Sequence, residues 1–169
     1  MRDAFGGVFS TTIMLVFIVI LVAFAAISLN YAKAFKVKNS LIDFVEQQEI
    51  TDLENYYRRN RSTFTSKIDA ILDNADYNRG CIQSNNTITY EPYIPDREPG
   101  EPYSICYRGV VIKESDTVGN VITYTINTYA GWELSSLNML LRLAGENDPT
   151  EVAYGTWKIT GKAKVIKVN

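Results

Sequence analysis

The pattern of apolar and polar residues begins with an apolar run at residues 8–29, which contains no charged residue, proline or glycine. About 20 apolar residues in a helix cross the hydrocarbon core of a bilayer, because each residue advances the helix by about 1.5 Å. A helix also satisfies its own backbone hydrogen bonds, which lipid cannot do. The run therefore predicts a transmembrane helix, preceded at residues 1–7 by a short leader or cytoplasmic N-terminus.

The helical pattern continues beyond the apolar run. No glycine or proline occurs at residues 8–79. At residues 30–50 apolar side chains recur at spacings that place them on one side of a helix. They are Tyr31, Ala34, Phe35, Leu41, Ile42 and Val45. We therefore predict one helix from residue 8 to about residue 49, whose second half is an amphipathic extension.

Two shorter helices are predicted next. Thr51 and Glu54 have the spacing of a capping box, in which each side chain bonds a free backbone amide of the first helical turn. The first helix should run from this box to about Ser62, and a second should open at Ser66. The apolar side of the second helix is Ile68, Ile71, Leu72 and Ala75, which we expect to pack on a sheet.

The chain then changes to strand and loop patterns. Four of the five prolines lie within residues 81–106, which predicts a short strand at 87–90 followed by a proline-bent loop. Alternating residues predict strands at 107–114 and 120–129. A turn at 118–120 should join these two strands into an antiparallel hairpin.

The C-terminal pattern completes an α+β fold. Apolar spacing at residues 132–144 predicts a helix, which Gly145 would end. Residues 152–168 predict a last strand with a bulge or bend at Gly161. The fold class is therefore α+β: a long N-terminal transmembrane and amphipathic helix, two short helices, and a small antiparallel sheet with one further helix and one disulfide. Residues 51–169 form the predicted extracytoplasmic domain.

The cysteines and the lysines give opposite indications of topology. Cys81 and Cys106 are the only cysteines, and a zinc site is disfavoured because the chain has no histidine. A disulfide is the simpler interpretation, with two unpaired core cysteines as the alternative, and disulfides persist in extracytoplasmic compartments. The lysines at 33, 36 and 38 instead favour a cytoplasmic domain by the positive-inside rule. We expect the domain to lie outside, with the cytoplasmic orientation as the alternative.

The composition argues against most chemistry. The formal net charge is −2, and nothing indicates nucleic-acid binding. The chain lacks histidine, a nucleophile-elbow motif and a phosphate-binding glycine loop, so we expect no enzymatic activity and no cofactor. The acids of the proline loop, Glu91, Asp96, Glu98 and Glu101, lack the spacing of a calcium loop, so no metal site is predicted.

Two basic clusters have structural interpretations. The run at residues 58–61 is expected to be a solvated helix face. The last strand carries Lys158, Lys162, Lys164 and Lys167, which would protect an exposed sheet edge from aggregation. The alternative for these lysines is contact with an acidic neighbour or polymer.

The N-terminal layout resembles that of type IV pilin-like proteins. It has a short leader with Arg2, Gly6 and Gly7, an uncharged helix directly behind it, an amphipathic continuation and a β-rich C-terminal part. Within that family it is most similar to the TadE-type pseudopilins of tight-adherence pili. The resemblance implies cleavage of the leader after Gly6 or Gly7 by a prepilin peptidase. Thr11 or Thr12 stands where the family typically has an acid. A secretory signal cleaved after Ala25 is the alternative processing.

The resemblance implies a structural function, as a minor pilin or pseudopilin of a surface filament or secretion apparatus. The partners would be membrane lipid and other pilin-like subunits, in a homo- or hetero-oligomer, or an assembly-platform membrane protein. Small or hydroxylated residues of the apolar run permit close helix packing. They are Thr11, Thr12, Ala23, Ala25, Ala26 and Ser28. The alternative function is a single-pass membrane-anchored binding or sensing module outside the cytoplasm.

Overall fold

A computed structural model of the protein describes residues 2–83, 87–96, 98, 100–133 and 154–167. These residues form an α+β fold, as predicted, with a long N-terminal apolar helix, short helices and antiparallel sheets. The helices are α1 (Arg2–Gln47), α2 (Leu53–Arg59) and α3 (Arg61–Asp73). The strands are β1 (Cys81–Ile82), β2 (Ile88–Thr89), β3 (Ser104–Tyr107), β4 (Val110–Val118), β5 (Val121–Glu133) and β6 (Tyr154–Ile166).

The described strands form two sheets. β1 pairs with β2, and a four-stranded sheet has the order β3-β4-β5-β6. β4 and β5 are the predicted antiparallel hairpin, and Gly119 has the positive φ of 61° that its turn requires. The predicted last strand is present as β6. A β-bulge separates Glu114 from Asp116 and interrupts the register between β4 and β5.

The strand predicted at residues 107–114 is divided between β3 and β4. β3 ends at Tyr107, the chain turns at Arg108 and Gly109, and β4 begins at Val110. The two turn residues have positive φ angles, 46° and 78°. Such two-residue turns match the twist of antiparallel strands. The sequence pattern missed this turn because arginine rarely adopts a positive φ.

The starts of the two short helices differ from the prediction. Asp52, not Thr51, caps α2, because its carboxylate accepts a hydrogen bond of 2.8 Å from the backbone amide of Asn55. α2 ends at Arg59, earlier than predicted, and α3 begins at Arg61 rather than at Ser66. Phe64, Ile68 and Leu72 form the buried side of α3.

The chain divides into two compact units. One comprises Met1–Tyr31 with Gly131–Thr156, and the other comprises Ala32–Ala130 with Trp157–Asn169. In the first unit the side-chain amide of Asn30 donates a hydrogen bond of 3.0 Å to the carbonyl oxygen of Gly131. The predicted helix at 132–144 is wrong at its first two residues, which belong to β5, and its remainder lies outside the described residues.

The core of the second unit includes the amphipathic part of α1. Ala34, Val37, Leu41 and Val45 are fully buried there and follow helical spacing. Buried residues of α2, α3 and the four-stranded sheet belong to the same cluster, among them Leu53, Phe64, Ile112, Tyr124 and Ala163. The extension of the apolar helix is therefore a core element of this unit.

β6 lies close to α1 at Gly161. The strand continues through this glycine, where the sequence predicts a bulge or bend. A Cβ atom at position 161 would lie 2.7 Å from Cδ1 of Ile42 and 2.9 Å from Cδ of Lys38. The missing side chain thus allows the helix to approach the strand closely. The Glu46 carboxylate of α1 also accepts a hydrogen bond of 3.0 Å from the backbone amide of Lys164.

Cys81 and Cys106 form the predicted disulfide, with Cα atoms 6.0 Å apart. Around it, the Arg108 guanidinium bonds Asp69 at 2.8 Å and Asp73 at 2.9 Å, and the Tyr107 hydroxyl donates to Asp69 at 2.8 Å. Burial, followed by the hydrogen bond to Asp69, raises the pKa of Tyr107 to about 12. The turn between β3 and β4, directly after Cys106, is thereby fixed against α3.

Candidate functional site

The apolar part of α1 is the most unusual surface of the described chain. Most of its large apolar side chains between Phe9 and Leu29 are exposed, including Phe9 and Phe24 at 68% each. Single exposed apolar residues are common in soluble proteins, but a contiguous apolar surface marks contact with a membrane or another protein. By length and composition α1 is able to cross a bilayer, and it is the only such helix among the described residues.

The structure distributes the small residues of this helix around its axis. A helix turns by about 100° per residue, so Thr12, Ala23 and Ala26 lie on one side. Thr11 and Ala25 extend that side in one direction. Ser28 lies roughly opposite, and its hydroxyl bonds the carbonyl oxygen of Phe24 at 2.8 Å. Of the six predicted packing residues, five therefore fall on about one half of the helix surface.

Gly6 and Gly7, the predicted cleavage positions, lie within the first turns of α1. Their backbone is helical, and leader cleavage stays a prediction.

The lysines that follow the apolar run make contacts within the second unit. The ammonium of Lys33 lies 2.6 Å from the Asp76 carboxylate, and that of Lys36 lies 3.4 Å from the carbonyl oxygen of Asn74. Lys38 lies over the Phe35 ring, 4.1 Å from its centroid. The hydrogen bond from Lys33 and its charge lower the pKa of Asp76. These three lysines therefore contact other residues of the folded unit, in addition to any role in membrane topology.

A recess of about 500 Å³ in the second unit is lined by carboxylates. The N-terminus of α2, the loop before β3 and the end of β4 form its walls. Its acids are Asp52, Glu54, Glu101, Glu114 and Asp116, and none of its described lining residues is basic. We call it the acidic recess. Burial, followed by the charge of Asp52, raises the pKa of Glu114.

A second cleft, of about 520 Å³, holds the arginines of the predicted basic run. Arg58 pairs with Glu54 at 2.7 Å, and the Arg61 guanidinium lies 5.8 Å from the centroid of the Tyr57 ring. The carboxylate of Glu91 lines the same cleft as Arg59. The cleft is thus of mixed charge, and two of its arginines already have partners in the fold.

No group of three acidic or cysteine side chains in the described part of the chain is arranged to hold a metal ion. This includes the described acids of the proline-bent loop, Glu91, Asp96, Glu98 and Glu101. The acidic recess was not predicted, because its carboxylates come from three segments that only the fold brings together.

Comparison of the chain with protein-family models, with curated proteins and with solved structures finds no match in any of the three.

Proposed function

We propose that the chain is a structural subunit of a surface filament or secretion apparatus, of the minor pilin or pseudopilin kind. The observation that carries the proposal is the exposed apolar surface of α1 at residues 9–29, on a helix that continues into the core of a folded unit. A helix used only as an anchor has no need to continue as a core element. In this proposal the apolar surface meets lipid first and other subunits on assembly.

The chemistry of that surface supports helix association. Helices in a membrane associate through close packing, because lipid is as apolar as their own side chains. Small residues permit this packing, and Thr12, Ala23 and Ala26 lie on one side of α1. The partners would be copies of this chain, other pilin-like subunits or an assembly-platform membrane protein. The disulfide and the folding contacts of Lys33 and Lys36 are compatible with an extracytoplasmic domain.

Small-to-large variants test this function without making the helix less apolar. Ala23→Leu and Ala26→Leu fill the side that holds Thr12, whereas Leu21→Phe adds bulk on roughly the opposite side and is the matched control. We expect the first two to reduce the assembled fraction in native membranes at least about tenfold. The control should assemble like the wild type.

The oligomeric state also separates the two functions considered from the sequence. A wild-type protein that stays monomeric in its native membrane would contradict the subunit proposal. That outcome would favour the membrane-anchored binding or sensing module. Equal assembly of all three variants would show that this side of the helix is not the packing surface.

Processing is tested by intact mass and N-terminal sequencing of the protein from its native membrane, with thiol labelling in the absence of reductant. A start at Gly7 or Val8 with unlabelled Cys81 and Cys106 is the expected result. A start near Ala26 would indicate a secreted protein without an anchor. A start at Met1 with both thiols labelled would indicate the cytoplasmic orientation.

A further inference from the structure

The acidic recess carries negative charge that the fold leaves largely uncompensated. Asp52 caps α2, and Glu54 pairs with Arg58. In the described part of the chain, no salt bridge reaches the carboxylates of Glu101, Glu114 or Asp116. Glu114 is only partly exposed, so its charge is less well solvated than that of a surface carboxylate. The recess therefore favours a cationic occupant.

A buried polar group beside the recess supports this. Tyr124 is fully buried, and its hydroxyl has no hydrogen-bond partner in the described part of the chain. Tyr124 lies directly opposite Glu114 in the β4–β5 ladder, so the two side chains are on the same side of the sheet. Buried hydroxyls are nearly always hydrogen-bonded. The unpaired hydroxyl is thus a second uncompensated polar group next to Glu114, and it lies behind the lining of the recess.

The opposite side of the same sheet is basic. Side chains alternate between the two sides of a strand. Ile159, Ala163 and Val165 of β6 are buried, and the lysines between or beside them are exposed. On β4, Lys113 alternates in the same way with buried Ile112. Together Lys113, Lys158, Lys162 and Lys164 form a surface that we call the lysine face.

One copy cannot bring Glu114 and the lysine face together. Glu114 and Lys113 are consecutive in β4 and point to opposite sides of the sheet. β5 also lies between β4 and β6. Contact between Glu114 and the lysine face therefore requires two copies and joins different patches of each. Such a contact between unlike patches closes into a ring or continues as a helical filament.

We propose that the lysine face of one copy docks on the acidic recess of the next copy along the assembly. This inference rests on the proposed function, since it names the contact between the folded units of neighbouring subunits. A metal ion is disfavoured as the occupant, because the described acids are not arranged to hold one. The opposite charges of Glu114 and the lysine face, on two sides of one sheet, favour a second copy.

Charge reversal and its rescue test the docking. Glu101→Lys changes an exposed recess acid, and Lys162→Glu changes an exposed lysine of β6. Each single reversal should weaken assembly of the full-length protein in native membranes about tenfold. The double variant Glu101→Lys/Lys162→Glu again places opposite charges at these two positions wherever two copies meet. It should recover most of the assembly that each single variant loses. Lys67→Glu and Glu91→Lys, at exposed positions outside the lysine face and the recess, are the controls and should assemble normally.

Carbodiimide cross-linking then identifies the contact directly, because it joins a carboxylate to an ammonium group that touches it. Assemblies of mixed ¹⁴N- and ¹⁵N-labelled copies should yield peptides in which Glu101 of one label is joined to a lysine of the other. The expected lysines are Lys158, Lys162 and Lys164. Cross-links confined to single copies would overturn the docking.

The outcomes separate this inference from the proposed function. Assembly that depends on Ala23 and Ala26 but is unaffected by Glu101→Lys and Lys162→Glu would retain the subunit function and overturn the docking. Single reversals that weaken assembly without rescue in the double variant would also overturn it. A wild-type chain that never assembles would overturn both.

Discussion

The hydroxyl of Thr128 donates a hydrogen bond of 2.9 Å to the carbonyl oxygen of Ala34, and both residues are fully buried. The bond joins β5 to the amphipathic part of α1. Its acceptor is a helix carbonyl, and its donor is the polar residue that the strand pattern places among apolar neighbours. The helix is thus tied to the sheet by a directional contact as well as by apolar packing.

Replacing Thr128 with valine keeps the shape of the side chain and removes the donor. We expect Thr128→Val to lower the free energy of unfolding by about 1 kcal/mol, the net contribution of a typical hydrogen bond. The measurement is urea unfolding of the full-length protein in detergent, followed by circular dichroism. Thr125→Val, at a partly exposed position of the same strand, is the control and should change stability by less than half as much.

The contact at Gly161 gives a second prediction. Gly161→Ala places a methyl group against the ends of the Ile42 and Lys38 side chains. Because these are flexible side-chain ends rather than backbone, we expect a loss of only about 1 kcal/mol. Ile42→Val removes the methyl group that the new side chain would meet.

The double variant should therefore lose less stability than the two single variants together, as a double-mutant cycle by urea unfolding would show. Strict additivity of the two losses would mean that the helix and the strand do not approach each other at this point.

The large elements could be predicted from the sequence because each has a strong local pattern. Residues 8–45 have an apolar run followed by helical spacing, and residues 120–129 alternate as a strand. The disulfide followed from two cysteines and the absence of histidine. These features depend on one segment or one pair of residues, so no tertiary information is needed to find them.

The sequence-based predictions were wrong or incomplete where two neighbouring residues could fill the same role, or where residues far apart in the chain come together only in the fold. Thr51 and Asp52 are adjacent candidate caps, and Asp52 prevails because Asn55 donates to its carboxylate through both the backbone amide and the side chain. The turn at Arg108 and Gly109 has an atypical residue at its first position. The acidic recess could not be predicted, since its walls come from α2, a loop and β4.

Removal of the disulfide gives a third prediction. Cys81 and Cys106 are 25 residues apart, and in the chain-entropy model closing such a loop stabilises the folded state by about 3.5 kcal/mol. The variant Cys81→Ala/Cys106→Ala should lose a free energy of unfolding of that order. The measurement is thermal unfolding with and without reductant. Reductant should destabilise the wild type to a similar extent and leave the variant unchanged, and equal stability of both proteins without reductant would contradict the prediction.

The environment of Glu114 predicts a dependence of stability on pH. Burial, followed by the nearby charge of Asp52, raises the pKa of Glu114 in the folded state above its ordinary value of 4.5. The folded protein therefore binds this proton more tightly than the unfolded chain does. By linkage, ionisation of Glu114 opposes folding once the pH rises above the ordinary value. The penalty is absent at lower pH, where the group is protonated in both states.

Glu114→Gln keeps the size of the side chain and removes the ionisation. The variant should be more stable than the wild type at pH 7, and its advantage should shrink as the pH falls and vanish below about pH 4. Thermal unfolding of monomeric protein in detergent across this range is the measurement. Glu91→Gln, at an exposed loop position, is the control substitution. A wild type more stable than Glu114→Gln at pH 7 would mean that Glu114 already has a cationic partner within its own copy, which would remove the uncompensated charge on which the docking between copies depends.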